Sequence, residues 1–209
     1  MGLSLDTERP IAVIGADDSF AVTGVSGVLN TSLSAETAVR SGFDVLLISA
    51  PASRREARDL VRLAEEAGVR VGFPRWLRRQ VDLDQSYPLV SVVAPSDCGL
   101  DHLIDLAMWA SGCVGVQRVE CQRAGGDTGI VLVGHGTQLM SIQTSSGVDK
   151  VRLSLSGAVG ARLLYLDYDM AEGLRSETLR FSEGHADAVL LEDSMDLMTV
   201  LERVGALGR

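Results

Sequence analysis

The chain contains few of the residues on which several common kinds of site depend. It has three cysteines among 209 residues, and no two of them are spaced as CxxC. This spacing argues against a disulfide framework and a cysteine zinc site, so no metal site is predicted. The chain also has a single lysine, Lys150. The composition is otherwise that of an ordinary globular protein, with 46% hydrophobic and 22% charged residues.

Positive charge is also scarce. The formal net charge is −9, and because nucleic-acid binding needs a basic face, nucleic acid is not an expected partner. The most basic segment, RWLRRQ at residues 75–80, is interpreted as a solvated turn. No apolar run approaches the length of a membrane span, and the first residues do not resemble a signal peptide. These absences predict a cytoplasmic protein that has no membrane attachment and that binds a small molecule.

The first half of the chain alternates strand and helix patterns. Residues 11–15 (IAVIG) and 43–51 (FDVLLISAP) are continuous apolar runs, typical of strands inside a parallel sheet. Residues 35–42 form a helical pattern that ends in glycine. Residues 53–68 form another, with Ser53 as N-cap and Glu56 three positions later. A further strand is predicted at VRVGF. The segment between Gly15 and residue 35 is too short for both a full helix and a second strand.

The pattern of the second half predicts a sheet with one buried and one solvent-exposed face. After a helix at residues 100–111, short strand patterns follow one another up to residue 169, separated by Gly- and Asp-rich turns. An amphipathic helix is predicted at residues 193–207. The predicted fold class is α/β: a truncated Rossmann-like βαβ unit over residues 1–95, then a largely antiparallel, open-sheet α+β domain over residues 96–209.

The segment DCGLDHLIDLAMWASG, residues 97–112, holds the strongest candidate site. His102 lies between acids at the start of an apolar helix, where Asp101, Asp105 or Asp97 could tune its protonation. Two interpretations stay open. His102 is either an acid/base group that contacts substrate, or a histidine retained because it packs and hydrogen-bonds at the start of the helix. Cys98 is a second candidate, although a buried and idle thiol is the commoner case.

Four segments resemble the glucose–fructose oxidoreductase/inositol dehydrogenase/MocA (Gfo/Idh/MocA) family. DVLLISAPAS (44–53) resembles the family's DAVxIATPxxxH, and residues 60–76 resemble the helix and strand that run into VGFNRRF. GLDHLIDLAMWASG (99–112) is similar to DxGxHxIDLxRWLxG and is the most specific of the four. Residues 150–163 resemble a strand of the C-terminal sheet with a G-T-x-G turn. The segments follow the family's order over most of the chain.

The resemblance implies NAD(P) bound at a glycine-rich turn, with Gly15 and Pro51 at the cofactor positions. The family's catalytic groups are a lysine from an E-K-P motif, an aspartate and a histidine. Here GADDSF, with Asp17 and Asp18, replaces G-x-G-x-x-G.

Three further departures from the family pattern follow. E-K-P is either replaced by Pro74-Arg75-Trp76 or deleted, and Cys98 stands one turn before His102 in place of the acid. The segment that carries the ribose-binding acid is missing. The cofactor is therefore left unknown.

Three functions remain open on these grounds. The first is a Gfo/Idh/MocA-like oxidoreductase homologue that acts on a small polar metabolite without normal NAD(P) dehydrogenase chemistry. Its candidate substrate-binding residues are Arg75, Trp76 and Cys98. The second is a non-catalytic subunit or binding module. The third is a non-redox acid/base enzyme, an isomerase or lyase, that uses His102. The resemblance also implies a homodimer, or a heterodimer with a full-length relative, through the C-terminal sheet.

Overall fold

The structure is a computed structural model, and it describes residues 9–15, 27–184 and 190–207. Within these residues the chain forms ten strands, six α-helices and a 3₁₀ turn at Leu191–Ser194. In chain order the elements are β1 (Ile11–Ile14), β2 (Val28–Thr31), α1 (Ala35–Arg40), β3 (Asp44–Leu47), α2 (Arg54–Ala67), β4 (Val71–Gly72), α3 (Trp76–Arg79), β5 (Leu89–Pro95), α4 (Leu100–Ser111), β6 (Arg118–Ala124), β7 (Asp127–Val133), β8 (Leu139–Ser145), β9 (Val151–Gly157), β10 (Gly160–Leu166), α5 (Met170–Ser182) and α6 (Met195–Leu207).

The chain divides into two compact units. Unit 1 contains Met1–Ala50, Arg55–Pro74 and Met170–Asp193, and unit 2 contains Pro51–Arg54, Arg75–Asp169 and Ser194–Arg209. Residues 75–95 thus group with the second sheet, and a later helix returns to the first. A single boundary after residue 95 does not describe this arrangement.

Unit 1 is built on a four-stranded parallel sheet in the order β2-β1-β3-β4. This is the predicted Rossmann-like unit, and the short segment before residue 35 contributes a second strand to it. β2 pairs with β1 in parallel from Ile11 opposite Val28 to Ile14 opposite Thr31. A strand of four residues needs much less chain than the full helix-and-strand pair that the prediction assumed.

The core of unit 1 joins its central strands to α5. Side chains from β1 and from β3 and its end pack with two side chains of α5, and the set is Ile11, Val13, Leu46, Ile48, Leu174 and Phe181. α2 begins directly after Ser53 and ends before Gly68, whose φ is +65°, as the capping pattern predicts. α5 was not predicted from the sequence, because its apolar positions are interrupted by charged residues.

Unit 2 is built on a six-stranded sheet in the order β10-β9-β5-β8-β7-β6. Every neighbouring pair is antiparallel except β5 and β8, which confirms a largely antiparallel sheet. β5 lies in the middle of the sheet and was not predicted. Alternate residues of the central strands are buried, and α4 packs on β5 and β8 while α6 packs on β6. None of the helices in the described part of the chain has the length and apolarity to span a bilayer.

Candidate functional site

The candidate site is built around α4 in unit 2. The helix begins after Gly99 and ends at Gly112, whose φ of +63° gives the left-handed cap that glycine adopts most easily. Most of α4 is buried, and the buried residues include His102 and Asp105. Since buried charged groups are stable only when paired, the partners of Asp105 decide what this site can do.

Asp105 is bound by two arginines of the α3 segment. Arg78 donates from Nε and Nη2 to the two carboxylate oxygens, and the Nε of Arg75 lies 3.5 Å from Oδ1. Arg75 also donates from Nη2 to the Oγ of Ser194 at 2.6 Å. The Arg78 guanidinium lies 5.9 Å from the centre of the Trp109 ring, within the range of a cation–π contact.

The interpretation of RWLRRQ as a solvated turn is therefore wrong. The segment forms the short helix α3, in which Trp76 and Leu77 are buried. The side chains of Arg75 and Arg78 are only 12% and 19% exposed. A carboxylate on a different helix attracts these cations into the interior, which local charge patterns do not reveal.

Trp76 joins His102 to a residue far along the chain. Its ring centre lies 6.1 Å from that of His102 and 5.4 Å from that of Tyr168, with both pairs tilted. These are spacings of favourable aromatic contacts. The Tyr168 hydroxyl donates to the backbone oxygen of Asp97 at 3.3 Å. Arg75, Trp76, Asp97, His102 and Asp105 thus belong to one cluster.

Cys98 lies in the same cluster, where an acid stands in the related motif. It is buried, and burial raises the pKa of its thiol to about 12, with the nearby Asp97 carboxylate adding to the effect. The nearby Tyr168 hydroxyl lowers the pKa of the thiol and is the smaller influence. The thiol is therefore neutral at physiological pH, and neither a thiolate nucleophile nor a carboxylate stands at this position.

Asp101 folds back over the start of α4. Its Oδ1 accepts a hydrogen bond from the backbone N–H of His102 at 3.0 Å. A Cβ atom placed on Gly99 would lie 2.7 Å from that oxygen, so the glycine makes room for the carboxylate. An acid in the first turn also has a favourable interaction with the helix dipole.

The two predicted cofactor residues lie outside this cluster. Gly15 follows β1 in unit 1 with φ +92°, and a Cβ atom there would meet the Ile48 side chain at 3.7 Å. Pro51 is buried and lies between β3 and α2. Asp17 and Asp18 fall outside the described residues. At the carboxyl end of β2, Thr31 Oγ1 accepts a hydrogen bond from the Leu33 backbone N–H at 3.1 Å.

Sequence reasoning missed two members of the cluster, Arg78 and Tyr168. Arg78 carried a usable signal, because it stands three residues after Arg75 and therefore on the same side of a helix. Tyr168 carried none, since it follows β10 and reaches the site only through the pairing of distant strands.

Comparisons with known proteins identify the fold. The chain matches no family model and no curated protein. Among solved structures it is similar to UDP-N-acetylglucosamine 3-dehydrogenase GnnA from Acidithiobacillus ferrooxidans, with TM-score 0.68, 12% identity, and coverage of 95% of this chain and 97% of that one.

Two further structures match over a similar share of the chain. GenD2 from gentamicin A biosynthesis, solved with NAD, gives TM-score 0.65 and 14% identity, covering 87% of this chain and 76% of that one. The WlbA dehydrogenase from Bordetella pertussis, solved with NADH and UDP-GlcNAcA, gives 0.63 and 14%, covering 84% and 72%. The chain therefore has the fold of Gfo/Idh/MocA-type oxidoreductases, as the resemblance predicted.

Proposed function

We propose that this chain is a Gfo/Idh/MocA-like oxidoreductase homologue that binds a small polar metabolite beside His102 without normal NAD(P) dehydrogenase chemistry. The observation that carries the proposal is the state of Asp105, the acid retained from the related motif. Its two oxygens are held by Arg78, with Arg75 close by. Because both of its oxygens accept hydrogen bonds from a guanidinium, this carboxylate is engaged in an ion pair and is not positioned to exchange a proton with a substrate.

The remaining chemistry of the site points the same way. The acid one turn before His102 is replaced by the neutral thiol of Cys98, and no lysine lies in the cluster, because the chain's single lysine is Lys150 on the sheet. Arg75 keeps its proton at physiological pH, so it can orient an anionic group but cannot shuttle a proton. His102 is the group we assign to proton transfer, with Asp101 and Asp97 as the acids near it in sequence.

The cofactor site of the fold does not fit NAD(P) in this chain. β1 ends in Gly15 with a left-handed φ, as a phosphate-binding turn requires, but the sequence continues with Asp17 and Asp18. Negative charges there would repel a pyrophosphate. At the end of β2, where an acid would bind the ribose, the chain has Thr31 and Ser32, and the Thr31 hydroxyl accepts a backbone hydrogen bond instead.

Direct titration with NADH and NADPH tests the proposal. We expect no saturable rise in nicotinamide fluorescence and no shift in melting temperature up to millimolar cofactor, because a ligand that binds the folded state stabilises it. The WlbA dehydrogenase, whose structure contains NADH, serves as the positive control. Saturation at sub-millimolar cofactor together with a rise in melting temperature would overturn the proposal.

A second candidate function is a binding module that dimerises through the outer face of the six-stranded sheet. The observation in its favour is a set of exposed apolar side chains on three strands of that face, β5, β8 and β10. Leu89 pairs directly with Leu139, and both are more than two-fifths exposed. On β10, Leu163 and Tyr165 are 54% and 61% exposed. Exposed apolar patches of this kind mark interaction surfaces.

Two matched substitutions test the second candidate. Leu139 and Leu33 are 43% and 42% exposed, but Leu33 belongs to unit 1 and is not part of this sheet. If the face forms a dimer, Leu139→Asp shifts the protein to monomer in sedimentation velocity, whereas Leu33→Asp does not. Equal behaviour of the two variants would contradict dimerisation through this face.

A further inference from the structure

The start of α4 has no capping side chain of the usual kind. Its N-cap is Gly99, which has no side chain to accept a hydrogen bond from the first turn. The Tyr168 hydroxyl meets the backbone at this point from outside the helix. It donates a hydrogen bond to the Asp97 carbonyl at 3.3 Å, and it lies close enough to the Gly99 N–H and the Cys98 thiol for both groups to affect its pKa. One phenol therefore lies beside three successive residues ahead of His102.

The ring of Tyr168 acts on the same site from a second direction. It lies 5.4 Å from the Trp76 ring, and the Trp76 ring lies 6.1 Å from His102. Trp76 thus packs on both the tyrosine and the histidine. Because Trp76 is 4% exposed, its ring has little room to turn unless one of these neighbours moves.

The position of Tyr168 is fixed by Gln80, whose side-chain amide makes two hydrogen bonds to the backbone of the preceding residue. The Gln80 amide donates from Nε2 to the Asp167 carbonyl at 2.9 Å and accepts at Oε1 from the Asp167 N–H at 3.0 Å. Gln80 caps the C-terminus of α3, the helix that begins with Trp76. Asp167, the residue before Tyr168, is therefore hydrogen-bonded to the end of α3, and Tyr168 packs on Trp76 of the same helix.

We infer that Tyr168 is a positioning residue of the His102 site: its hydroxyl holds the segment of residues 97–99 that leads into α4, and its ring holds Trp76 against the imidazole. This inference rests on the proposed function only in assigning proton transfer to His102. A phenol is protonated at neutral pH, and burial, which raises the pKa of Tyr168, keeps the hydroxyl able to donate at higher pH as well.

Spectroscopy of the unliganded protein tests the inference. In a Trp109→Phe background Trp76 is the only tryptophan, so the emission reports on Trp76 alone. The chain has only three histidines, so the ring resonances of His102 can be assigned separately. We expect Tyr168→Phe to move the His102 ring resonances in ¹H–¹³C NMR, with little change in Trp76 emission because the ring contact is kept. Tyr168→Leu removes both contacts and should also shift Trp76 emission to longer wavelength.

Tyr165→Phe is the matched control, because Tyr165 lies three residues earlier and is 61% exposed. It should leave the His102 and Trp76 signals unchanged. His135, which is hydrogen-bonded to Gln117 and follows β7, is an internal reference in every variant. If both Tyr168 variants lower the melting temperature but leave the His102 resonances and Trp76 emission as in the parent, the inference is wrong. Cofactor saturation would instead overturn the proposed function and leave this result standing, so the two failures are distinguishable.

Discussion

Each unit of the molecule contains a buried aspartate held by arginine, and the two clusters differ in a way that separates structure from function. In unit 1, Asp44 accepts from the Arg70 backbone N–H at 2.8 Å and from the Arg70 guanidinium, which lies 4.6 Å from the Phe181 ring centre. In unit 2, Asp105 binds Arg78 and lies close to Arg75. The first is one carboxylate with one arginine, and the second is one carboxylate with two.

The positions of the clusters explain the difference. Asp44 begins β3 and Arg70 precedes β4, so the first cluster lies at the amino ends of parallel strands, where α/β folds do not bind ligands. Its role is to join two strands and a helix. Asp105 lies one turn after His102 on α4, at an acidic position that the related motif also has. There the carboxylate of the candidate acid is paired with two guanidiniums instead of one.

The largest expected effect is the removal of charge from Asp105. Asp105→Asn leaves two largely buried guanidiniums without their carboxylate, and loss of one partner of a buried ion pair costs about 3–5 kcal/mol. We expect urea unfolding to show a loss of that order, or failure of unit 2 to fold. Glu36→Gln is the control, because its pair with Arg40 is 63% exposed on both sides and should contribute under about 1 kcal/mol. A loss at Asp105 no larger than at Glu36 would contradict the described pairing.

A smaller effect is expected at the first cluster. Asp44→Asn keeps a hydrogen-bond acceptor for the Arg70 N–H, and the Arg70 side chain is 37% exposed, so water can solvate its charge. Hydrogen bonds to charged groups contribute about 1.5–3 kcal/mol, and exposure reduces this value. Urea unfolding of Asp44→Asn should therefore show a loss below that of Asp105→Asn. A larger loss for Asp44→Asn than for Asp105→Asn would mean that burial of the arginine does not determine how much each ion pair contributes to the free energy of unfolding.

The two clusters also show how far the sequence alone could lead. The strands beginning at Ile11 and Asp44, the helix from Arg54 and the helix that carries His102 follow from apolar periodicity and caps, which are local signals. Asp105 could be singled out because it repeats a motif. Its partners could not, because the pairing of Arg78 with Asp105 depends on how α3 packs against α4, which no local pattern specifies.

Long-range pairing also hid β5 and Tyr168. β5 pairs in parallel with β8 and antiparallel with β9, so both of its neighbours come much later in the chain. Tyr168 reaches Trp76 only after β10 has paired with β9 and the chain has returned to the same side of the sheet. Contacts between residues that are distant in sequence depend on the order of the strands and leave no periodic pattern in the sequence. They therefore could not be predicted from local patterns.

The smallest expected effect is a difference between the two clusters in how the free energy of unfolding depends on pH. Cys98 belongs to the second cluster, and burial raises the pKa of its thiol from 9.0 to about 12. In the unfolded chain the thiol ionises first, so the folded state binds the proton more tightly between these values. The thiol's contribution is complete below about pH 9, and the free energy of unfolding should fall as the pH rises from about 9 toward about 12.

Urea unfolding over this range should show a shallower decline for Cys98→Ser than for the parent, because serine does not titrate there. Asp44→Asn should retain the parent's slope, since the first cluster consists of a carboxylate, a guanidinium and a phenyl ring. Cys113, whose pKa is also raised, is present in all three proteins and contributes equally. The raised pKa of Tyr168 is partly due to Cys98, so Cys98→Ser lowers that pKa as well and makes the decline shallower in the same direction. Identical slopes for the parent and Cys98→Ser would show that the thiol is solvated, and the second cluster would then be more open to water than its burial indicates.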